Sequence, residues 1–164
     1  MKILIVFASS HGTTEKAAHI LKDFLEGDVE IVDLREEAIP DIQYYDAVII
    51  GASIHAGSIS RKEKKFIQKN LDVLASKKVG LYLCCFREGE VAVEQFEQAF
   101  PKELRDAAIE SGLFGGELNF SKMNFVERLL VKEVTGAKDD VSKLDVDLIK
   151  EFADQFNKHV LCEV

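Results

Sequence analysis

The sequence predicts a doubly wound α/β domain, a five-stranded parallel sheet with helices on both faces. Three observations predict it. Short apolar runs of strand length alternate with longer stretches whose apolar residues recur at helical spacing. The short runs are apolar at nearly every position, the pattern of strands covered on both faces. The 164 residues hold only two prolines and no repeat or low-complexity tract, so nothing marks an internal linker.

The elements follow in order. Lys2–Phe7 (KILIVF) is the first strand. From Thr13 the period changes: Ala17, Ala18, Leu21, Phe24 and Leu25 fall at helical spacing, and Gly27 follows as a stop. Residues 29–33 read as a second strand, Pro40 marks a loop, and 47–50 (AVII) is a third strand ended by Gly51. A helix over Arg61–Leu74 carries Ile67, Leu71 and Leu74 on one stripe, and 79–86 (VGLYLCCF) is the fourth strand. Ala92, Phe96, Ala99 and Phe100 mark the next helix, and Pro101 opens a short further one. The fifth strand is expected at 113–120, weakened by Gly115 and Gly116. Leu148, Ile149, Phe152, Ala153, Phe156 and Val160 form a closing helical stripe.

Before that helix lies an excess segment, 121–146, which a minimal doubly wound domain does not need. Met123, Val126, Leu130 and Val134 give it an amphipathic stripe, widened by Phe125, Leu129 and Val131. It is expected to pack as an extra helix on the sheet edge, or else to form a surface element for a substrate, a partner or a membrane face. Its cations Lys122, Arg128, Lys132 and Lys138 are nearly cancelled by Glu127, Glu133, Asp139 and Asp140, so strong attraction to lipid is not indicated.

Composition narrows the function classes. With 47% hydrophobic and 30% charged residues the chain can bury a sizeable core. The balance of 21 Lys+Arg against 29 Asp+Glu leaves a net charge of −8, and no basic stripe exists to displace counterions from a nucleic acid. No apolar run approaches the roughly 18 residues of a membrane helix. The opening apolar run is too brief for a secretory leader. Three cysteines, two of them adjacent (Cys84 and Cys85), make a poor disulfide framework and favour a reducing cytoplasm.

Open parallel sheets bind ligands beyond the carboxyl ends of their strands. The first such loop is Ser9-Ser10-His11-Gly12-Thr13-Thr14, hydroxyls and a glycine leading into a helix, with no Lys or Arg inside it. A phosphate there would accept hydrogen bonds from successive amides and hydroxyls at the positive end of the helix. No cationic side chain is expected to assist. The loops of nucleoside triphosphate and dinucleotide sites, GxxxxGKS/T and GxGxxG, are absent. The plainer alternative is a Ser/Thr-rich turn that only caps the helix.

The same loop resembles the FMN phosphate loop of flavodoxins, usually Ser/Thr-x-Thr-Gly-x-Thr, with His11 in place of the middle Thr. The chain is more similar still to the flavodoxin-like menaquinone-dependent protoporphyrinogen IX dehydrogenase family. That likeness runs through Val48-Ile49-Ile50-Gly51-Ala52-Ser53-Ile54, Phe66-Ile67-Gln68-Lys69 and the 113–140 stretch. It implies a three-layer flavodoxin-like fold with strand order 2-1-3-4-5 and FMN as cofactor. The phosphate would lie on Ser9, Ser10, His11, Gly12, Thr13 and Thr14. The ring would lie between Ser53, Ile54, His55, Ala56 and Gly57 of one loop and Phe86 and Arg87 of another.

Within that frame Ile54, His55 and Phe86 are candidates to cover the ring faces. Gly57 is a candidate for a peptide that reorients when the flavin takes a proton. The chain has no Trp to stack there. Read from the residues alone, Phe86 is equally a core aromatic, His55 a solvent-facing loop residue and Arg87 a solvated charge. Cys84 and Cys85 read as strand core and not as redox partners.

The activity implied is transfer of hydride equivalents from protoporphyrinogen IX through FMN to a quinone, with no separate catalytic side chain and no metal. The alternative is an FMN electron carrier, steered by its acidic charge to a basic redox partner protein. A cation from Arg87 or His55 at the ring would favour the enzyme, whereas acidic Glu88 and Glu90 would repel porphyrinogen propionates. A flavin-free interaction domain follows if the loop is only a cap. Membrane contact, if any, would be peripheral and at the cytoplasmic face.

Overall fold

The computed structural model describes residues 1–36 and 38–162. Strands β1 (Lys2–Phe7), β2 (Asp28–Asp33), β3 (Ala47–Ser53), β4 (Lys78–Cys84) and β5 (Ala108–Leu113) form one parallel sheet in the order β2-β1-β3-β4-β5. The helices are α1 (Thr13–Phe24), α2 (Arg61–Leu74), α3 (Gly89–Ala99), α4 (Lys102–Ala107), α5 (Phe125–Thr135) and α6 (Val146–Leu161). From β1 the chain passes to one side for β2 and to the other for β3. The strand order therefore reverses at the β1/β3 boundary, where a crevice opens at the carboxyl edge.

Successive side chains of a strand point to opposite faces, and here both faces are covered. On one face α1 and α6 cover Ile3, Ile5, Phe7, Ile49 and Tyr82; on the other α2, α3 and α4 cover Leu4, Val6, Val48, Ile50 and Leu81. This is why the three central strands read as continuous apolar runs. The sheet order and layering agree with the flavodoxin-like fold.

The fifth strand is Ala108–Leu113 and not 113–120. As the sheet's edge it is only half covered, so its sequence AIESGL mixes polar with apolar residues and carries no continuous run. The 113–120 stretch is apolar for a different reason. Phe114 is fully buried, stacked on Tyr82 at 4.9 Å and edge-on to Phe152 at 5.4 Å. Gly115, with φ 75°, then turns the chain out of the sheet where a Cβ would overlap the Lys143 carbonyl oxygen.

The excess segment leaves and returns on a short antiparallel stem, β6 (Glu117–Leu118) paired with β7 (Val141–Ser142). A 3-10 turn at Phe120–Lys122 and then α5 project from that stem over the carboxyl edge. The expectation of an extra helix packed on the sheet edge is corrected here. No residue of α5 is buried, and Phe125, Val126, Leu129, Leu130 and Val134 are each 50% exposed or more. Its ends are stabilised locally, by a capping box between Asn124 and Glu127 and by Gly136 at φ 70° after the last turn. No helix among the described residues is long and apolar enough to cross a membrane.

The three cysteines are free thiols, with Cys84 and Cys85 buried and Cys162 exposed. Burial pushes the Cys84 thiol far up and raises that of Cys85. One thiol per chain is therefore expected to react promptly with a disulfide reagent in the native protein, and all three after unfolding. A Cys84 thiol that reacts promptly in the native state would contradict its burial at the end of β4.

Candidate functional site

At the β1/β3 boundary a cavity of 440 Å³ opens between three loops and α5. Its floor is the 9–14 loop. Gly12, at φ 85°, precedes α1, and its amide donates to Ser9 Oγ at 2.9 Å, folding the loop back on itself. No side chain caps α1. The amides of Ser10, His11, Thr13 and Thr14 have no hydrogen-bond acceptor among the described residues. His11 Nδ1, Thr14 Oγ1 and Gln95 Oε1 are likewise buried without a hydrogen bond, although the Cys84 thiol lies beside Thr14. A loop built to cap the helix would offer a side-chain acceptor to one of these amides, and none does.

The second wall is the 53–58 loop. Ala56 at φ 49° and Gly57 at φ 77° form a two-residue turn, closed by His55 and Ser58 exchanging amide-to-carbonyl hydrogen bonds of 2.9 and 3.1 Å. Ser53 Oγ lies 2.9 Å from His55 Nε2, and the His55 ring stacks on that of His11 at 5.0 Å. The third wall holds Phe86, half-buried, and Arg87, exposed. Lys143 Nζ sits 4.7 Å over the Phe86 ring and pairs with Glu88 at 3.1 Å.

Of the residues singled out in the sequence, Ser9, His11, Thr13, Thr14, Ser53, Ile54, His55, Ala56, Gly57, Phe86 and Arg87 line this cavity together. Ser10 and Gly12 belong to the same loop but do not line it. The roof is made by Met123, Glu127, Leu130, Val131 and Val134 around α5, in the segment read as a possible substrate-facing element but not placed among the cofactor-binding residues. Its apolar stripe was the available signal, since the five-strand scheme left that stripe without a partner.

Burial is the main cause holding the His11 imidazole below its ordinary 6.5; Glu127 opposes it and Lys122 and Arg35 add to it. His55 is exposed at the cavity mouth, yet the atoms flanking its ring, and then His11, lower it in the same direction. Both rings are therefore uncharged at neutral pH, and the 3.4 Å contact of His11 Nε2 with Glu127 Oε2 is not an ion pair there.

Two cations from outside the loop reach its carbonyls. Arg35, just after β2, donates from Nη1 to the Ser9 carbonyl, and Lys122 Nζ lies 3.4 Å from the His11 carbonyl. Behind the loop stands Glu63, fully buried, accepting from the Ala8 amide at 3.0 Å and the Ser60 amide at 2.9 Å.

Unpaired amides and the unpaired Thr14 hydroxyl at the switch point, beside a cavity between two further loops, have the form of a mononucleotide site in a doubly wound domain. The orphaned groups fit a phosphate, and the space beyond them fits a ring. The chain belongs to the flavodoxin domain family, which matches residues 4–145, and FMN is its cofactor. No curated protein sequence matches the chain.

Solved structures share the fold. Flavodoxin from Megasphaera elsdenii, in its two-electron reduced form, is 19% identical with a TM-score of 0.60, over 95% of this chain and 98% of that one. Flavodoxin 1 from Bacillus cereus is 18% identical with a TM-score of 0.56, over 97% and 99%. Rubredoxin oxygen:oxidoreductase from Desulfovibrio gigas is 15% identical with a TM-score of 0.58, over 99% of this chain but 36% of that one.

Proposed function

We propose that this protein is an FMN electron carrier serving a redox partner protein. The observation that carries the reading is the end-to-end likeness to flavodoxins, which covers nearly all of both chains. Bound FMN supplies one- and two-electron transfer. The chain's own part is to hold it: the amides and hydroxyls of 9–14 take the phosphate, while Ile54, His55 and Phe86 flank the ring. With both imidazoles uncharged, neither adds positive charge beside the ring, which supports a low potential. The net charge of −8 would steer the protein to a basic partner. The carrier would work in the cytoplasm.

A second reading is favoured by one observation. The apolar roof of Met123, Leu130, Val131 and Val134 is more than a carrier needs and would suit an organic substrate over the ring. That reading is a protoporphyrinogen IX dehydrogenase of heme biosynthesis with a quinone acceptor, in at most peripheral contact with a membrane. Lys143 neutralises Glu88, which weakens the repulsion of propionates inferred from the sequence.

One anaerobic reductive titration of the FMN-loaded protein separates the readings. The carrier is expected to reduce in two resolved one-electron steps. A single two-electron step, with porphyrin fluorescence from protoporphyrinogen and a quinone above the autoxidation rate, would establish the dehydrogenase instead. Protein that takes up no FMN would overturn both.

A further inference from the structure

We infer that Lys122 is a cationic ligand for the FMN phosphate, so that the excess segment clamps the cofactor as well as roofing it. The inference rests on the flavin reading of the cavity. A phosphate monoester carries close to two charges at neutral pH, and the loop itself offers only amides, hydroxyls and an uncharged imidazole. A charge-assisted contact there is stronger than any of these.

The backbone that carries Lys122 is fixed beside the loop. Its amide donates to the Asn119 carbonyl at 3.1 Å. Two residues earlier Phe120 is buried, with its amide bonded to Asp140 Oδ1 at 2.7 Å, and the β6–β7 stem fixes both ends of the excursion. The ammonium lies 3.2 Å from the point where a Cβ of Gly12 would stand, directly over the phosphate loop.

The neighbouring charges are already committed. Lys16 pairs with Glu117 at 2.9 Å, and Arg35 binds the Ser9 carbonyl. Glu127, the carboxylate on the roof, accepts from the Asn124 amide at 3.0 Å and touches His11 Nε2. Lys122 makes no ion pair among the described residues; its contact is the long bond to the His11 carbonyl. An incoming phosphate would replace that weak contact with a strong one.

The test compares FMN with riboflavin, which has the ring but no phosphate. Lys122→Met should raise the FMN dissociation constant about tenfold at low salt and leave that of riboflavin within twofold. Lys122→Arg should keep FMN binding near wild type, which also controls for folding. Raising salt should narrow the gap between wild type and Lys122→Met, since the lost term is ionic. Hydrogen exchange across 119–136 should slow with FMN in the wild type and less so in the variant. Wild type that binds FMN with Lys122→Met unchanged, or a variant that loses riboflavin equally, would overturn the clamp alone. Wild type that binds neither ligand would overturn the flavin reading with it.

Discussion

Replacing Gly51 by alanine is expected to cost about 3 kcal/mol of stability, from overpacking together with a strained or lost hydrogen bond. Gly51 on β3 stands opposite Tyr82 on β4, and the Tyr82 ring lies across the bare backbone. A Cβ would come 2.6 Å from Cε1 and overlap the atoms at the ring's far end. The ring has no easy escape. It is fully buried, stacks on Phe114 at 4.9 Å and donates from its hydroxyl to the Thr14 carbonyl at 3.0 Å.

Moving Tyr82 therefore disturbs the core and the 9–14 loop together. A melting temperature lower by about 10 °C is expected for a domain of this size, with weaker FMN binding alongside. Shortening the neighbour should relieve the clash, so Gly51→Ala combined with Tyr82→Leu should be less destabilised than the sum of the single changes. A Gly51→Ala protein that melts like the wild type would show that the ring does not lie there.

The second large effect is a pH dependence set by Glu63. Burial drives its carboxyl up to about 7 from 4.5, against the pull of the Ser60 and Ala8 amides; Asp33, at the end of β2, pushes the same way. Tyr82 and Cys84 on β4 also face it, and both stay protonated. The folded value lies above the unfolded one, so the sign is the reverse of a salt-bridged carboxylate. Below 4.5 both states are protonated and nothing is lost. Above 7 both are ionised, and the folded state bears a cost on the order of 3 kcal/mol.

Urea unfolding should thus show the wild type losing stability relative to Glu63→Gln as pH rises through this window. His11 and His55 act in the opposite sense, since lowered imidazoles lose stability as pH falls below 6.5. The variant retains both histidines, so the difference between the proteins isolates Glu63. Parallel stability curves would overturn the assignment. This carboxyl ties Ala8, at the entrance to the 9–14 loop, to Ser60, just beyond the second wall of the cavity.

Legibility followed burial. Strands β1, β3 and β4 announce themselves because both faces are covered and every position is under the same apolar demand. The 9–14 loop is legible because hydroxyls and a glycine between strand and helix have few other uses. Edge strand β5 was misplaced because half-coverage erases the signal, and the nearby apolar stretch owes its character to one core residue, Phe114.

The amino-acid sequence by itself determined the doubly wound sheet, its switch point and the glycine- and hydroxyl-bearing 9–14 loop, since each rests on contiguous residues and local backbone chemistry. Only the tertiary structure decided what surrounds that loop. Glu63 approaches from 55 residues away and Lys122 from 111, and α5 covers the cavity because a stem closed elsewhere aims it there. Such contacts depend on where chain segments meet in space, and no periodicity along the chain records that.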